Sequence, residues 1–394
     1  MSKFRPQVYV QQANSVFAGR TRPNASMCSS KRADAASSGC PSCTNDPNPL
    51  GHGEAPSYEC QTTNYYGVSH FPCCITNFPQ GWPKFAMSAF VIEPAGGSGD
   101  ALGAASDAIV VASLVPASAA LPTSVGGSTG GKIETISAYP FGDTATVKIT
   151  GTTGPVTVKV RIPGWAVKAT VNGRLAANGT LVAVVCPATV SVRTANKDVT
   201  ASSKDGDGMC EISVALNPEV TIEKGWGFIP NATDTSPATN GASIVRGPLV
   251  FALHPKESRV IVKNYTMDLP MRPKAVDYEI STNDTWNYLL VLPDVNTGGT
   301  DHRDRLPSFD PTPSSKWRSS FPFDDSGEYP FSVNVHAKQL KAWGYWEGSK
   351  VTAVPPASPV KCSSAADCGD TTTLRLVPFG STNLRVSVFP WLSV

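Results

Sequence analysis

Alternation of apolar and polar positions is the strongest signal in this chain, and it sets in near residue 145. Ala145, Val147 and Ile149 alternate with Thr146 and Lys148. Val156, Val158, Val160 and Ile162 alternate with Thr157, Lys159 and Arg161. Successive side chains of a strand point to opposite faces, so this period marks half-buried antiparallel strands. Residues 107–115 form an apolar strand candidate. Lys132–Ser137 has its isoleucines three apart and reads as a strand on β-branched content alone. Val171-Asn172-Gly173 reads as a strand entering a tight turn. Further strands are expected near 181–194 and 210–215, and Ile244–Leu253 opens another sheet region. Residues 295–330 are rich in turn formers. Thr373–Val377 and Leu384–Phe389 close the chain, with Arg385 and Ser387 expected to face outward. Helix is expected largely over 79–92, where 84–92 reads as a short apolar helix packed behind Cys73-Cys74.

This spacing predicts a mainly β protein of tandem antiparallel β-sandwiches. The expected division is residues 1–106, then a sandwich over 107–253, then a second β domain over 254–394. Before residue 72 the periodicity is poor, and residues 21–60 are rich in Ser, Asn, Pro, Gly and Cys. That composition suits a long loop or the tail of a domain.

Composition sharpens the picture. Glycine and proline number 33 and 34 among 394 residues, which favours turns over long helices. A net charge of +2 and the absence of a basic run argue against nucleic acid or an anionic membrane as partner. The Ala-rich run 101–121 is broken by Asp107 and Pro116, so it is read as a strand plus linker and not as a membrane span. Sequons stand at Asn24, Asn178, Asn231, Asn264 and Asn283, beside ten cysteines and a low charged fraction of 16%. Together these point to a secreted or lumenal, N-glycosylated protein, although the first eight residues carry no apolar signal region.

The candidate chemistry centres on Cys73-Cys74, within His70–Asn77. Adjacent Cα atoms lie ~3.8 Å apart, whereas a relaxed disulfide wants ~4.4–6.8 Å. The two thiols are therefore expected to face other partners, either distant cysteines or a metal. Cys28, Cys40, Cys43 and Cys60 are the cysteines available for such bridges. Cys186–Cys210 and Cys362–Cys368 are expected as structural disulfides. Cys40-Pro41-Ser42-Cys43 lacks a βαβ context and reads as loop disulfides. Asp301-His302-Arg303-Asp304-Arg305 reads as a solvated ion-pair cluster, and Asp324, Asp325 and Glu328 as turn residues. Tyr65, Tyr66 and His70, close to the pair in sequence, read as packing under a loop, with aromatic lining of a ligand subsite as the alternative. Trp165 is read as core.

Five segments then resemble one known family in its own order. They are PCCITNFPQGWPKF at the cysteine pair, AYPFGDTATVKI (138–149), VKVRIPGWAVKATVNG (158–173), IVRGPLVFAL (244–253) and LRLVPFGSTNLRVSVFP (374–390). The family is glycoside hydrolase family 127, the β-L-arabinofuranosidase-like proteins, and the likeness spans about residues 60–394. It implies an (α/α)6 barrel followed by β-sandwiches, carbohydrate as the partner, and a zinc site. Cys73 would be the nucleophile and a zinc ligand, and Cys74 a second ligand. The resemblance also implies a Glu-X-Cys ligand pair and an acid/base glutamate in the barrel. Glu59-Cys60 has adjacent spacing, so those roles are not carried onto it. The chain is thus expected to correspond to the C-terminal portion of such a protein, with only a short remnant of the barrel, and to associate with a missing helical portion or another subunit. Alone, it is expected not to hydrolyse arabinofuranosides at an enzyme-like rate. The competing reading is a non-catalytic β-sandwich protein that binds glycan or another subunit. The genomic sequence upstream of Met1 separates the two.

Overall fold

The computed structural model describes residues 14–15, 17–18, 81–96, 106–189, 193–194, 197–198, 209–226, 240–264, 276–293, 306–319, 327–344, 355–382 and 384–393. Two short strands come first, β1 (Asn14–Ser15) and β2 (Phe17–Ala18). The chain forms two compact units, one from Pro79 to Glu219, the other from Val220 to Val394 together with Met1–Phe78.

The Pro79–Glu219 unit begins with helix α1 (Gly81–Met87) and continues through β3 (Phe90–Glu93), β4 (Ala108–Val111), β5 (Ala117–Ala120), β6 (Lys132–Ser137), β7 (Thr144–Thr150), β8 (Val156–Arg161), β9 (Thr170–Val171), β10 (Arg174–Leu175), β11 (Leu181–Cys186), β12 (Arg193–Thr194), β13 (Lys197–Asp198) and β14 (Met209–Ala215). Six strands pair in the order β10-β9-β14-β7-β6-β5, and four in the order β11-β8-β4-β3. The apolar positions of the alternation fill one core: Ile109 and Val111, Ile133, Ala145, Val147 and Ile149, Val156, Val158 and Val160, Ile212 and Val214. Both sheets contribute to that core, which makes the unit a β-sandwich. Cys186 on β11 is bonded to Cys210 on β14, so the expected disulfide ties one sheet to the other.

The turn chemistry follows the sequence. Asn172 and Gly173 adopt φ of +49° and +74° in the two-residue connection of β9 and β10, as a type I′ hairpin requires. Asn172 Oδ1 accepts from the Ser213 amide at 2.9 Å, which anchors the hairpin to β14.

The second unit carries β15 (Val220–Trp226), β16 (Gly241–Arg246), β17 (Leu249–Leu253), β18 (Ser258–Asn264), β19 (Val276–Ser281), β20 (Tyr288–Leu292), β21 (Ser308–Asp310), β22 (Ser332–Leu340), β23 (Cys368–Pro378), β24 (Arg385–Val386) and β25 (Trp391–Ser393), with a 3-10 turn at Phe379–Ser381. A ten-stranded sheet runs β1-β24-β17-β23-β22-β20-β25, with β16 joining β17, β15 joining β16 and β21 joining β22; β18, β19 and β2 form a three-stranded sheet. Strand β16 is buried along its whole length, so side chains on both of its faces are covered. Cys362 and Cys368 form the second expected disulfide.

Several expectations need correction. The helix stops at Met87, and Phe90–Glu93 is a strand paired with β4, because its Phe-Val-Ile run suits a pleated surface better than a helix. Met87, at the helix end, is 81% exposed. The sheets are mixed, since β4 runs parallel to β8 and β20 parallel to β25. Strands β15, β16 and β17, placed by the sequence with the first sandwich, pair instead within the second unit. Ser387 does not face out. It is buried, and its carbonyl accepts from the Ser243 hydroxyl at 2.7 Å. Period two assigns a residue to a face, but here both faces are covered.

Candidate functional site

The residues singled out for chemistry fall largely outside the described residues. Cys73 and Cys74 lie there, with Cys28, Cys40, Cys43, Cys60, Tyr65, Tyr66, His70, Asn24, Asn231, Asp301–Arg305, Asp324 and Asp325. Among the described residues no group of three or more His, Cys, Asp or Glu is placed to hold a metal, and the four described cysteines are all spent in the two disulfides. The zinc expectation therefore rests on Cys73 and Cys74. Among the described residues no helix is long and apolar enough to cross a membrane.

Two sequons have described side chains. Asn178 and Asn283 are both exposed. Asn178 sits in a turn and donates its Nδ2 to the Gly164 carbonyl at 2.8 Å. Asn264 ends β18.

The segments that carry the family resemblance fall on the joints of the fold. AYPFGDTATVKI is the turn at 138–143 followed by β7. Burial pushes the Tyr139 phenol up to about 12, against the opposing pull of the Arg161 charge, and Tyr139 packs against the core of its unit. VKVRIPGWAVKATVNG runs from β8 into the β9–β10 turn, and Trp165 also packs against that core, as expected. IVRGPLVFAL is the β16–β17 hairpin. Its Arg246 is only 7% exposed and lays its guanidinium over the Phe309 ring, 4.1 Å from the centroid, with Phe331 at 5.7 Å. Phe331 packs in turn on Phe251 and Phe309. A buried cation stacked on aromatic faces binds β16 to β21 and to the entry of β22. LRLVPFGSTNLRVSVFP is the end of β23, the 3-10 turn and β24.

A different cluster emerges on the second unit. Strand β22 alternates strictly: Val333, Val335 and Ala337 are buried, while Asn334, His336 and Lys338 on the other face are partly exposed. Its register sets Asn334 beside Arg375, His336 beside Thr373 and Lys338 beside Thr371 on β23, and Ser308 and Asp310 of β21 beside Asn334 and Ser332. Arg375 donates to the Tyr329 hydroxyl at 3.2 Å, and the Tyr329 ring meets His254 edge to face, 6.3 Å between centroids. Bonds from the Thr312 backbone and side chain, and then the Arg375 charge, hold the Asp310 carboxyl below its ordinary range. Burial lowers the pKa of His254, opposed by Glu257 and Glu328. Gly327 has φ of +76°, and a Cβ there would stand 3.0 Å from His254 Nε2, so only glycine gives the imidazole this space. The Ser332 hydroxyl is buried and has no hydrogen-bond partner. Sequence reasoning missed this face, although the alternation Ser-Val-Asn-Val-His-Ala-Lys over 332–338 was there to find it.

No family model and no curated protein matches the chain. Among solved structures the chain is similar to a glycoside hydrolase, at 15% identity and a TM-score of 0.43 over 83% of this chain and 41% of that one. It is also similar to a GH127 β-L-arabinofuranosidase from Geobacillus stearothermophilus T6, at 14% identity and a TM-score of 0.42 over 84% of this chain and 38% of that one. A GH127 β-arabinofuranosidase gives 13% identity and a TM-score of 0.42, over 83% of this chain and 39% of that one. The chain spans about two fifths of the length of these structures.

Proposed function

We propose that this chain is a glycoside hydrolase-like protein of the β-L-arabinofuranosidase type, its described residues forming a β scaffold and its glycosidase chemistry depending on Cys73. One observation carries the reading. Four sequence segments resemble the family in its own order, and they fall at the entry to β7, the path from β8 to the β9–β10 turn, the β16–β17 hairpin and the end of β23 into β24. The fifth segment holds Cys73 and Cys74.

In this reading Cys73 attacks the anomeric carbon, the C–O bond to the leaving group breaks, and a proton from a general acid goes to the departing oxygen. Retaining glycosidases more often use a carboxylate for the attack. A thiol with a pKa of ~8.5 is mostly protonated at neutral pH. Zinc, when bound by Cys73 and Cys74 with further ligands, would hold both sulfurs as thiolates. Neither the further ligands nor the acid can be assigned to residues of this chain from the resemblance. We therefore propose that activity needs an associated helical portion that supplies them. Carbohydrate as the partner, secretion and N-glycosylation belong to the same proposal, supported by the exposed Asn178 and Asn283 and by the two disulfides.

The test supplies the chain with a helical barrel portion of the GH127 type and follows hydrolysis of a chromogenic β-L-arabinofuranoside. Turnover is expected, and Cys73→Ser should abolish it. Turnover that survives Cys73→Ser, or none in the joined protein, overturns the reading.

A further inference from the structure

Strand β11 ends its four-stranded sheet and pairs with β8 alone among the described strands. The N–H and C=O groups on the outer side of such a strand have no sheet partner, and proteins usually blunt it with charge, proline, shortness or a bulge. The other ends of the two main sheets of this unit are blunted in that way. Strand β10 has two residues and begins with Arg174, β5 lies between Pro116 and Pro122, and β3 ends on Glu93 followed by Pro94. Strand β11 has none of these devices. Its six residues, Leu-Val-Ala-Val-Val-Cys, are uncharged and include neither proline nor glycine, and their register with β8 runs without a shift. Leu181 and Val185 are 50% and 58% exposed. On the other face Val182 and Val184 pack against the core, and Cys186 is bonded to Cys210 on the opposite sheet. Core and disulfide thus hold the strand in place with its apolar outer face in solvent.

We propose that β11 pairs antiparallel with β11 of a second copy of this chain, about a twofold axis normal to the sheet at Ala183, joining the two sheets into one. The strand is self-complementary there. The axis sets Leu181 opposite Val185, Val182 opposite Val184 and Ala183 opposite itself, so every cross-strand row is apolar and no like charges meet. Neighbouring registers are worse. An axis at Val184 sets Leu181 opposite Pro187, which has no N–H for the ladder. An axis at Val182 draws in Gly179, whose φ of +73° is not that of a strand. The flanking charges also permit the contact. Lys159, beside Ala183 on β8, is paired with Glu93 at 2.5 Å. The Lys159 side chains of the two copies would stand three strand spacings apart, ~14 Å, beyond the Debye length of ~8 Å. A charged partner segment would have to desolvate its charges against this uncharged row, so the neutral strand of another copy is the better fit. One strand ~20 Å long is a narrow contact beside the ~1,200–2,000 Å² of a stable interface. The dimer is therefore weak and forms as concentration rises. It does not depend on Cys73.

Sedimentation velocity of the full chain tests the proposal, over loading concentrations from about 1 μM to about 1 mM, the range of weak association. The sample carries its disulfides but no N-glycans, because the Asn178 sequon lies just before β11. The expected result is a monomer–dimer equilibrium within that range. Ala183→Lys sets like charges directly opposite each other and should weaken the dimer about fivefold or more, with the melting temperature unchanged because Ala183 is exposed. Ala183→Glu should do the same. An equimolar mixture of the two variants should dimerise again, since lysine then meets glutamate. Val167→Lys, at an apolar site 55% exposed and off the strand, should leave the association unchanged. A monomer throughout, a dimer indifferent to Ala183→Lys, no recovery in the mixture, or a dimer lost in Val167→Lys would overturn the proposal.

Discussion

His254 ties stability to pH. Burial lowers its pKa more than Glu257 and Glu328 raise it, so the folded protein holds a proton on it less readily than the unfolded chain does. Its contribution is complete above the unfolded value of ~6.5 and is lost as pH falls from there through the folded pKa. The melting temperature is expected to drop as pH falls below about 6.5, and His254→Gln should flatten that drop when followed by scanning calorimetry. Asp107 and Asp310, both lowered by hydrogen bonds, act in a different window, below about pH 4. Residue-level reading of the sequence worked where one face is dry and the other wet: Val147, Ile149, Val158 and Val160 are all fully buried as their period requires. It failed for Ser387 and gave no hint of the buried Arg246. Alternation says which way a side chain points and nothing about what covers it.

Among the elements, the sandwich of the first unit is held by its core and by one covalent tie. Ile149→Ala, at a fully buried site on β7, should cost about 2–5 kcal/mol in denaturant unfolding. Removing both Cys186 and Cys210, which close a separation of 24 residues between the two sheets, should cost about 3 kcal/mol by the loop-entropy argument. Removing Cys362 and Cys368, only 6 residues apart, should cost less, about 2 kcal/mol. An order reversed between the two would mean that native-state effects outweigh loop closure. Both pairs were expected as structural bridges, but spacing alone does not fix connectivity; the folded strands bring each pair together. The exchange of helix for strand at Phe90–Glu93 was not legible, since a short apolar run has no period long enough to separate the two; pairing with β4 decides it.

The whole molecule comprises two units whose strands belong to different sheets. Residues 79–219, with their own core and disulfide, are expected to fold alone with a cooperative melt and a β-type circular dichroism spectrum. Expressed through a eukaryotic secretory pathway, the full chain should shift on a gel after glycosidase treatment, and the double change Asn178→Gln, Asn283→Gln should reduce that shift. The mainly β architecture was readable from period two. The boundary near 219 was not, because β15 and β16 look the same whichever sheet they join. Of the candidate site, the sequence offered Cys73-Cys74 as a chemical oddity and a family likeness, whereas the polar face around Arg375 needed the register of three strands to assemble.

The central proposal is that Cys73 is a glycosidase nucleophile whose further zinc ligands and general acid come from an associated helical portion. The most direct measurement is the hydrolysis of a chromogenic β-L-arabinofuranoside by the purified 394-residue chain, with its zinc content determined on the same sample. A general acid typically contributes ~10²–10⁴ in rate, and oriented binding adds to it; in this proposal both come from the helical portion. The predicted result is no enzyme-like turnover and little bound zinc. Turnover that depends on Cys73, with one zinc per chain, would contradict it and would mean that other residues of this chain complete the site.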